Sequence, residues 1–93
     1  MMKQAIYLHI GNNYSVDLRD VVGIFDMDNT TVDKSTRKLL ENAEKKKQLT
    51  YATYELPKSF IITVKNGRTR IWISQLSAAT LRKRLNNSDD QWR

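Results

Sequence analysis

Residues 58–73, KSFIITVKNGRTRIWI, decide the fold of this chain. Their centre, Asn66-Gly67, is the strongest short-range signal for a β-hairpin, and apolar residues alternate on both sides of it. A two-residue turn also fixes the register of the strands that it joins. From the turn outward, the predicted cross-strand pairs are Lys65 with Arg68, Val64 with Thr69, Thr63 with Arg70, Ile62 with Ile71, Ile61 with Trp72, and Phe60 with Ile73.

This register gives the predicted hairpin two different faces. The apolar face carries Phe60, Ile62, Val64, Ile71 and Ile73. The opposite face carries Lys65, Arg68, Arg70 and Thr63, with Ile61 and Trp72 toward its far end. Like charges placed opposite each other cost up to about 1 kcal/mol per pair, so Lys65 and Arg68 indicate either an anionic partner or a role in solubility. Trp72 is predicted to lie in a second layer or at a subunit interface.

Three further strands are predicted before this hairpin. Residues 6–10 and residues 14–18 alternate apolar and polar side chains around a Gly11-Asn12-Asn13 turn, which predicts a first hairpin. Residues 21–25 carry no charge and are rich in β-branched and aromatic types, which predicts a buried strand. The residues do not alternate between apolar and polar, so the pattern does not show which face of the strand points inward. Arg19-Asp20 interrupts the pattern, so a bend or bulge is expected there.

The middle of the chain is predicted to form a helix and then an extended segment. Residues 34–47 contain no Gly or Pro and show a narrow apolar stripe, which is typical of an amphipathic helix. Its lysine triplet, residues 45–47, is interpreted as complementing the negative end of the helix dipole. Residues 49–56 predict an edge strand or an irregular connection, which Pro57 ends.

The C-terminal part is predicted to form a short helix. Ser77 is a good N-cap for residues 78–85, and a cationic patch, Arg82, Lys83 and Arg84, lies near the end of that helix. Dipole complementarity accounts for one or two of these cations, whereas a phosphate-binding patch would use all three. The predicted organisation is one domain over residues 1–87, followed by a polar tail, residues 88–93.

The composition narrows the classes of function. The 93 residues carry 16 basic and 10 acidic side chains, and the net charge of +6 favours partners that bear phosphate, such as nucleic acid. The chain has no cysteine, which excludes disulfides and thiolate metal sites and suits a cytoplasmic protein. No apolar run is long enough for a membrane span, so no membrane contact is expected.

One motif supports an enzymatic alternative. Asp26, Asp28 and Thr30 match the Asp-x-Asp-x-Thr motif of haloacid dehalogenase-like phosphatases, in which the first carboxylate is a nucleophile and both carboxylates help to hold Mg²⁺. That superfamily requires a longer parallel sheet with further catalytic residues, so the two aspartates are better interpreted as loop and cap carboxylates. The single His9 is interpreted as a surface or interface residue, since no nucleophile or carboxylate lies beside it in sequence.

Four segments together resemble a known family. They are residues 6–11 (IYLHIG), 20–26 (DVVGIFD), 57–62 (PKSFII) and 77–84 (SAATLRKR). In these segments the chain is similar to the RemB branch of the RemA/RemB family of bacterial extracellular-matrix regulators. The resemblance covers nearly the whole chain.

The resemblance implies a small cytoplasmic protein that regulates transcription of biofilm matrix genes. On the RemA side it implies DNA binding by ring-shaped oligomers of LytTR-like subunits with a basic outer rim. One segment departs from the RemA pattern, because Glu55-Leu56-Pro57-Lys58 stands where that pattern has Gly-Arg-Arg-Thr-Arg. Only Lys58 remains as a cation, so the principal DNA-contacting arginines of the RemA type are largely missing.

These inferences combine into one expectation: an α+β domain with two antiparallel hairpins, one connecting helix and a short C-terminal helix, LytTR-like and oligomeric. It is expected to bind double-stranded DNA and other copies of itself, with no catalytic residue, metal, cofactor or small-molecule substrate. The candidate DNA-binding residues are Lys58, Lys65, Arg68, Arg70, Arg82, Lys83 and Arg84. The candidate oligomer-interface residues are Trp72, Tyr51 and Tyr54. The alternative is a protein-interaction module that does not bind DNA.

Overall fold

The computed structural model describes residues 6–27 and 34–90, the last four of these through their backbone only. In chain order, the elements are β1 (Tyr7–Gly11), β2 (Tyr14–Asp17), a 3₁₀ turn (Leu18–Asp20), β3 (Val21–Asp26), α1 (Lys34–Lys45), β4 (Leu49–Tyr51), β5 (Ser59–Lys65), β6 (Arg68–Ser74) and α2 (Ala78–Asp90). The α+β class and both predicted hairpins, β1–β2 and β5–β6, are confirmed.

A four-stranded sheet with the order β3-β5-β6-β4 forms the centre of the molecule. The β5–β6 hairpin lies in its middle, and all six predicted cross-strand pairs are confirmed. Strand β3 pairs antiparallel with β5, whereas β4 pairs parallel with β6. The strand predicted to be buried over residues 21–25 is therefore an edge strand in which Ile24 is the one buried residue, and the extended segment after α1 forms the other edge.

Both faces of this sheet are covered. Helix α1 covers the predicted apolar face, where Ala43 packs with Phe60, Ile71 and Ile73. The β1–β2 hairpin and α2 cover the opposite face and form a second core cluster with Ile61. The members of that cluster are Leu8, Ile10, Val16, Ile24, Ala52, Ile61, Ala78 and Leu81. The far end of the predicted basic face is therefore a buried core layer, because two further elements pack on it.

Buried serines join the central sheet to the elements around it. Ser59 and Ser74 face each other across β5 and β6, and both are fully buried. Ser74 donates a hydrogen bond of 2.5 Å to the carbonyl oxygen of Ile10, and Ser59 donates one of 2.6 Å to that of Leu76. Because buried hydroxyl groups require partners, these bonds fix the β1–β2 hairpin and the start of α2 against the sheet.

Three boundaries differ from the sequence prediction. Helix α2 continues to Asp90, five residues past the predicted end at residue 85. The interruption at Arg19-Asp20 is a 3₁₀ turn, and the irregular pairing lies slightly later, between Val21 and Gly23 of β3. Helix α1 ends at Lys45, two residues earlier than predicted. Among the described residues, neither helix is long and apolar enough to cross a membrane.

Candidate nucleic-acid interface

The β5–β6 hairpin extends beyond both of its neighbours in the sheet. Pairing with β3 stops at Thr63, and pairing with β4 begins at Ile71. Among the described strands, residues 64–69 therefore pair only with each other, as a two-stranded ribbon closed by Asn66-Gly67. Every one of these six residues is exposed. We call residues 64–69 the ribbon tip.

The ribbon tip forms one wall of a cleft of about 860 Å³. Tyr7 and residues 15–17 of the first hairpin line another side, together with Asp20 from the 3₁₀ turn. Five basic side chains of the described residues line this cleft, and we call it the basic cleft: Lys46, Lys47, Lys65, Arg68 and Arg70. The first two come from the turn after α1 and the other three from the hairpin, so the fold joins two cationic segments that are distant in sequence.

Arg70 and Trp72 lie where the cleft meets the core. The guanidinium carbon of Arg70 lies 5.8 Å from the centroid of the Trp72 ring, within the range of a cation–π contact, and Arg70 also donates a hydrogen bond of 2.6 Å to Thr50 Oγ1. The Trp72 ring packs against Tyr14, and its Nε1–H donates to Thr63 Oγ1 at 3.0 Å. Trp72 therefore contacts the predicted second layer within one subunit. Its predicted role between subunits stays a prediction.

Lys46 and Lys47 are held by the C-terminal cap of α1. The amide of Lys47 donates to the Glu44 carbonyl at 3.0 Å, and the amide of Gln48 donates to the Ala43 carbonyl at 2.8 Å. With Lys47 at a φ of 60°, this is the Schellman pattern, in which one residue past the helix adopts the left-handed conformation. The cap turns the chain toward β4 and directs it past the basic cleft.

Two carboxylates also line the cleft, but one of them is already paired. Asp17 accepts hydrogen bonds from the backbone N–H of Arg19 at 2.9 Å and from the Arg19 side chain at 2.7 Å. The side-chain hydrogen bond from Arg19 is the main cause that lowers the pKa of Asp17 from 3.8 to about 2. Asp17 therefore offers little competition to an anionic ligand, and the five cations dominate the charge of the cleft.

Arg82 and Arg84 have structural partners on other elements. Arg82 donates a hydrogen bond of 2.7 Å to the carbonyl oxygen of Ile24 on β3. Arg84 donates one of 3.1 Å to the carbonyl oxygen of His9 on β1 and lies 3.3 Å from Nδ1 of the same residue. Lys83 is exposed and has no side-chain partner within the described part of the chain. None of the three lines the basic cleft.

His9 is exposed, in agreement with its interpretation as a surface residue. Its Nε2 lies 2.7 Å from the carbonyl oxygen of Asn12, while Nδ1 faces the guanidinium of Arg84. A carbonyl oxygen only accepts hydrogen bonds and a guanidinium only donates them, so Nε2 is placed as the donor and Nδ1 as the acceptor.

The remaining predicted site residues lie away from the cleft. Lys58 precedes β5, seven residues from Lys65, which places it about 23 Å away at about 3.3 Å per residue. Tyr51 and Tyr54 have exposed fractions of 56% and 98%, and the neighbouring Leu56 is 78% exposed. These three exposed side chains belong to an apolar segment of the sequence that begins in β4 and continues past its end.

The phosphatase interpretation finds no support in the position of β3. Asp26 ends a strand at the edge of the sheet, antiparallel to its neighbour β5. The motif requires a strand within a parallel sheet. Asp28 and Thr30 lie outside the described residues.

The contribution of Lys46 and Lys47 was missed by the reasoning from sequence. That reasoning assigned residues 45–47 to the helix dipole. They come to lie beside the hairpin because β4 pairs with β6, and this pairing joins segments about 20 residues apart. The available signal was that a cationic run directly precedes a candidate edge strand. An edge strand next to a basic hairpin places its preceding residues near that hairpin.

Comparison with known proteins is consistent with the resemblance in sequence. The model of the RemA-like family, described as extracellular matrix regulatory protein A-like, matches residues 7–85. The chain is also similar to extracellular matrix regulatory protein B of Bacillus subtilis strain 168, with 34% identity over 79 residues. That match covers 85% of this chain and 89% of the relative.

Proposed function

Because this chain belongs to the RemA-like family of extracellular matrix regulatory proteins, we propose that it is a DNA-binding regulator of transcription of matrix and biofilm genes. It acts in the cytoplasm as a homo-oligomer of LytTR-like subunits. It binds DNA mainly through phosphate contacts, and the shape of the duplex provides more of the specificity than base edges do. The observation that carries this proposal is the convergence of five cations on the basic cleft.

The charge balance of the cleft favours a phosphate-bearing partner. Lys65 and Arg68 face each other at the ribbon tip although like charges repel, and neither side chain is needed for the core, because both are exposed. Asp17, one of the carboxylates that line the cleft, is paired with Arg19. A phosphate backbone along the cleft would relieve the repulsion between Lys65 and Arg68 and release counterions from the duplex.

The cleft also supplies cations that the RemA-type arginine cluster would otherwise provide. Residues 55–57 are Glu-Leu-Pro and carry no basic side chain. The basic cleft lies at the other end of the central hairpin from these residues, so DNA would approach a different part of the subunit. Among the predicted residues, Lys65, Arg68 and Arg70 belong to this surface. Lys58 and the α2 cations would contribute only to the overall positive electrostatic potential of the subunit.

The test compares two double variants that change the net charge equally. Lys46→Ala with Lys65→Ala removes two cations from the cleft, and Lys34→Ala with Lys38→Ala removes two exposed cations from α1 that do not line it. Fluorescence anisotropy with duplex DNA at several salt concentrations gives the slope of log affinity against log salt concentration. This slope should become smaller by about two units in the cleft variant and by much less in the α1 variant. Equal losses would show that only net charge matters and would remove the cleft from the site.

A second candidate function is supported by the apolar segment that begins in β4. Tyr51, Tyr54 and Leu56 expose large apolar side chains within a stretch of six residues. Such patches are typical of protein interfaces. They support self-association and equally support a module that acts through protein partners without DNA. Absence of DNA binding by the wild-type protein at low salt would favour this second function.

A further inference from the structure

We infer that the ribbon tip enters the major groove of duplex DNA and that Asn66 and Arg68 contact base edges there. This inference rests on the DNA binding proposed above. It adds base-specific contacts from the ribbon tip to a complex held mainly by phosphate contacts.

The first support is the shape of the ribbon tip. Neither β3 nor β4 flanks residues 64–69, so in the part of the chain that the structure describes the tip is two strands wide. Adjacent strands lie about 4.8 Å apart, and three residues in each strand extend about 10 Å. The major groove is about 12 Å wide and about 8.5 Å deep and admits a two-stranded β-ribbon. The tip therefore has the width and the reach to meet the floor of the groove.

The second support is the free space around the turn. A Cβ atom added to Gly67 would meet no atom of the described chain within 4 Å, and Val64, whose side chain points to the α1 face, is 38% exposed. On the α1 face, the layer that covers the rest of the sheet thus ends before the turn. On the opposite face the first hairpin lies across the basic cleft, so a duplex would reach the tip at its turn and from the α1 face.

The third support is the chemistry at the tip. Asn66 has a side-chain amide, which pairs in bidentate fashion with the N6 and N7 atoms of adenine, and Arg68 has a guanidinium, which pairs with O6 and N7 of guanine. Neither side chain has a hydrogen-bond partner within the described part of the chain. Arg70, by contrast, already donates to Thr50 and contacts Trp72. The donors nearest to the turn are thus the ones left available to bases.

The arrangement of the cleft agrees with this orientation. Lys65 lies beside Arg68 on the cleft side of the ribbon, and Lys46 and Lys47 line another part of the cleft. A duplex whose major groove receives the tip presents a phosphate backbone on each side of it. The lysines at the cleft would then contact one backbone while the tip contacts bases.

The test is selection of bound sequences from a random duplex library by the full-length protein and by two conservative variants. Arg68→Lys keeps the positive charge but removes the planar guanidinium. Asn66→Gly removes the side-chain amide, and glycine readily adopts the φ of 52° that this position requires. Arg37→Lys, an exposed arginine of α1 outside the cleft, is the matched control for the first. Circular dichroism and thermal unfolding confirm that each variant is folded.

The wild type and Arg37→Lys are expected to enrich the same sequences. Arg68→Lys should lose discrimination at a guanine position and Asn66→Gly at an adenine position, each by about 5- to 150-fold. The salt slope of Arg68→Lys should remain that of the wild type.

The other outcomes separate the two levels of the proposal. If the wild type binds duplexes tightly but without sequence preference, or if both tip variants enrich the wild-type sequences, the groove contact is refuted and phosphate binding stands. If the wild type binds no duplex even at low salt, the proposed DNA-binding function fails, and the groove contact fails with it.

Discussion

The guanidinium of Arg82 donates a hydrogen bond of 2.7 Å to the carbonyl oxygen of Ile24, and this bond joins α2 to the edge strand β3. In sequence these two residues are 58 positions apart. The bond gives part of the cationic patch on α2 a structural role, and the same holds for Arg84 through its bond to the His9 carbonyl.

Arg82→Ala should therefore lower stability more than DNA binding. Loss of the bond should cost about 1 kcal/mol of unfolding free energy, because the Ile24 carbonyl loses a charged donor. Lys83→Ala is the control, since its side chain has no partner in the described chain, and its effect should stay within about 0.5 kcal/mol. Urea unfolding measures both. Equal stability of the two variants would show that the Arg82 bond contributes nothing.

Lys47→Gly should separate stability from binding. Lys47 adopts a left-handed conformation with a φ of 60°, which costs a non-glycine residue about 1 kcal/mol. Glycine removes that cost but loses more chain entropy on folding, so the unfolding free energy should be unchanged or rise by less than about 1 kcal/mol. DNA affinity should fall, because a cation leaves the basic cleft. A folded variant with wild-type affinity would exclude Lys47 from the interface.

Asp17 should make stability depend on pH in the acid range. Its pKa in the folded chain, about 2, lies below the ordinary value of 3.8, so folding favours the charged carboxylate. The stabilisation from its pairing with Arg19 is fully present above pH 3.8 and is lost as the pH falls from 3.8 toward 2.

The measurement is the difference in melting temperature between wild type and Asp17→Asn, followed as a function of pH. Asparagine keeps an oxygen for the Arg19 N–H but cannot ionise. The difference should be constant above about pH 5, where the carboxylate is ionised in both states, and should shrink as the pH falls toward 2. A difference that does not change with pH would show that the charge of Asp17 does not stabilise the fold.

Arg68→Ala and Arg70→Ala should differ in their effect on stability. Arg68 is exposed at the ribbon tip, so its loss should change the unfolding free energy by less than about 0.5 kcal/mol. Arg70 contacts Thr50 and Trp72, so its loss should cost about 1 kcal/mol or more. Both variants should weaken DNA binding, and the double variant should still fold. Unchanged affinity in a folded double variant would remove this face of the hairpin from the site.

The reasoning from sequence succeeded where local chemistry decides the structure. Asn66-Gly67 fixed the turn, and the turn fixed all six pairs of the β5–β6 hairpin. The basic residues of one hairpin face followed directly from that register. Ser77 also acts as the predicted cap, because its hydroxyl accepts a hydrogen bond from the Thr80 amide at 3.0 Å.

The same reasoning could not determine how the elements pair and pack. The partner of β3 and the parallel pairing of β4 with β6 depend on contacts between segments far apart in sequence, which no local pattern encodes. The basic cleft depends on that parallel pairing, so Lys46 and Lys47 could not be assigned to it. Arg82 likewise could not be recognised as a partner of Ile24, because a cationic run has the same sequence whether it binds phosphate or a backbone carbonyl.

The most direct test of DNA binding is fluorescence anisotropy of the wild-type protein with a ~30-base-pair duplex at several salt concentrations, since the log–log slope is about 0.9 per phosphate neutralised. The five cations of the basic cleft predict tight binding at low salt and a slope of up to about 4.5 per bound subunit. No binding at low salt, or binding that does not depend on salt, would contradict the assignment of the basic cleft to DNA.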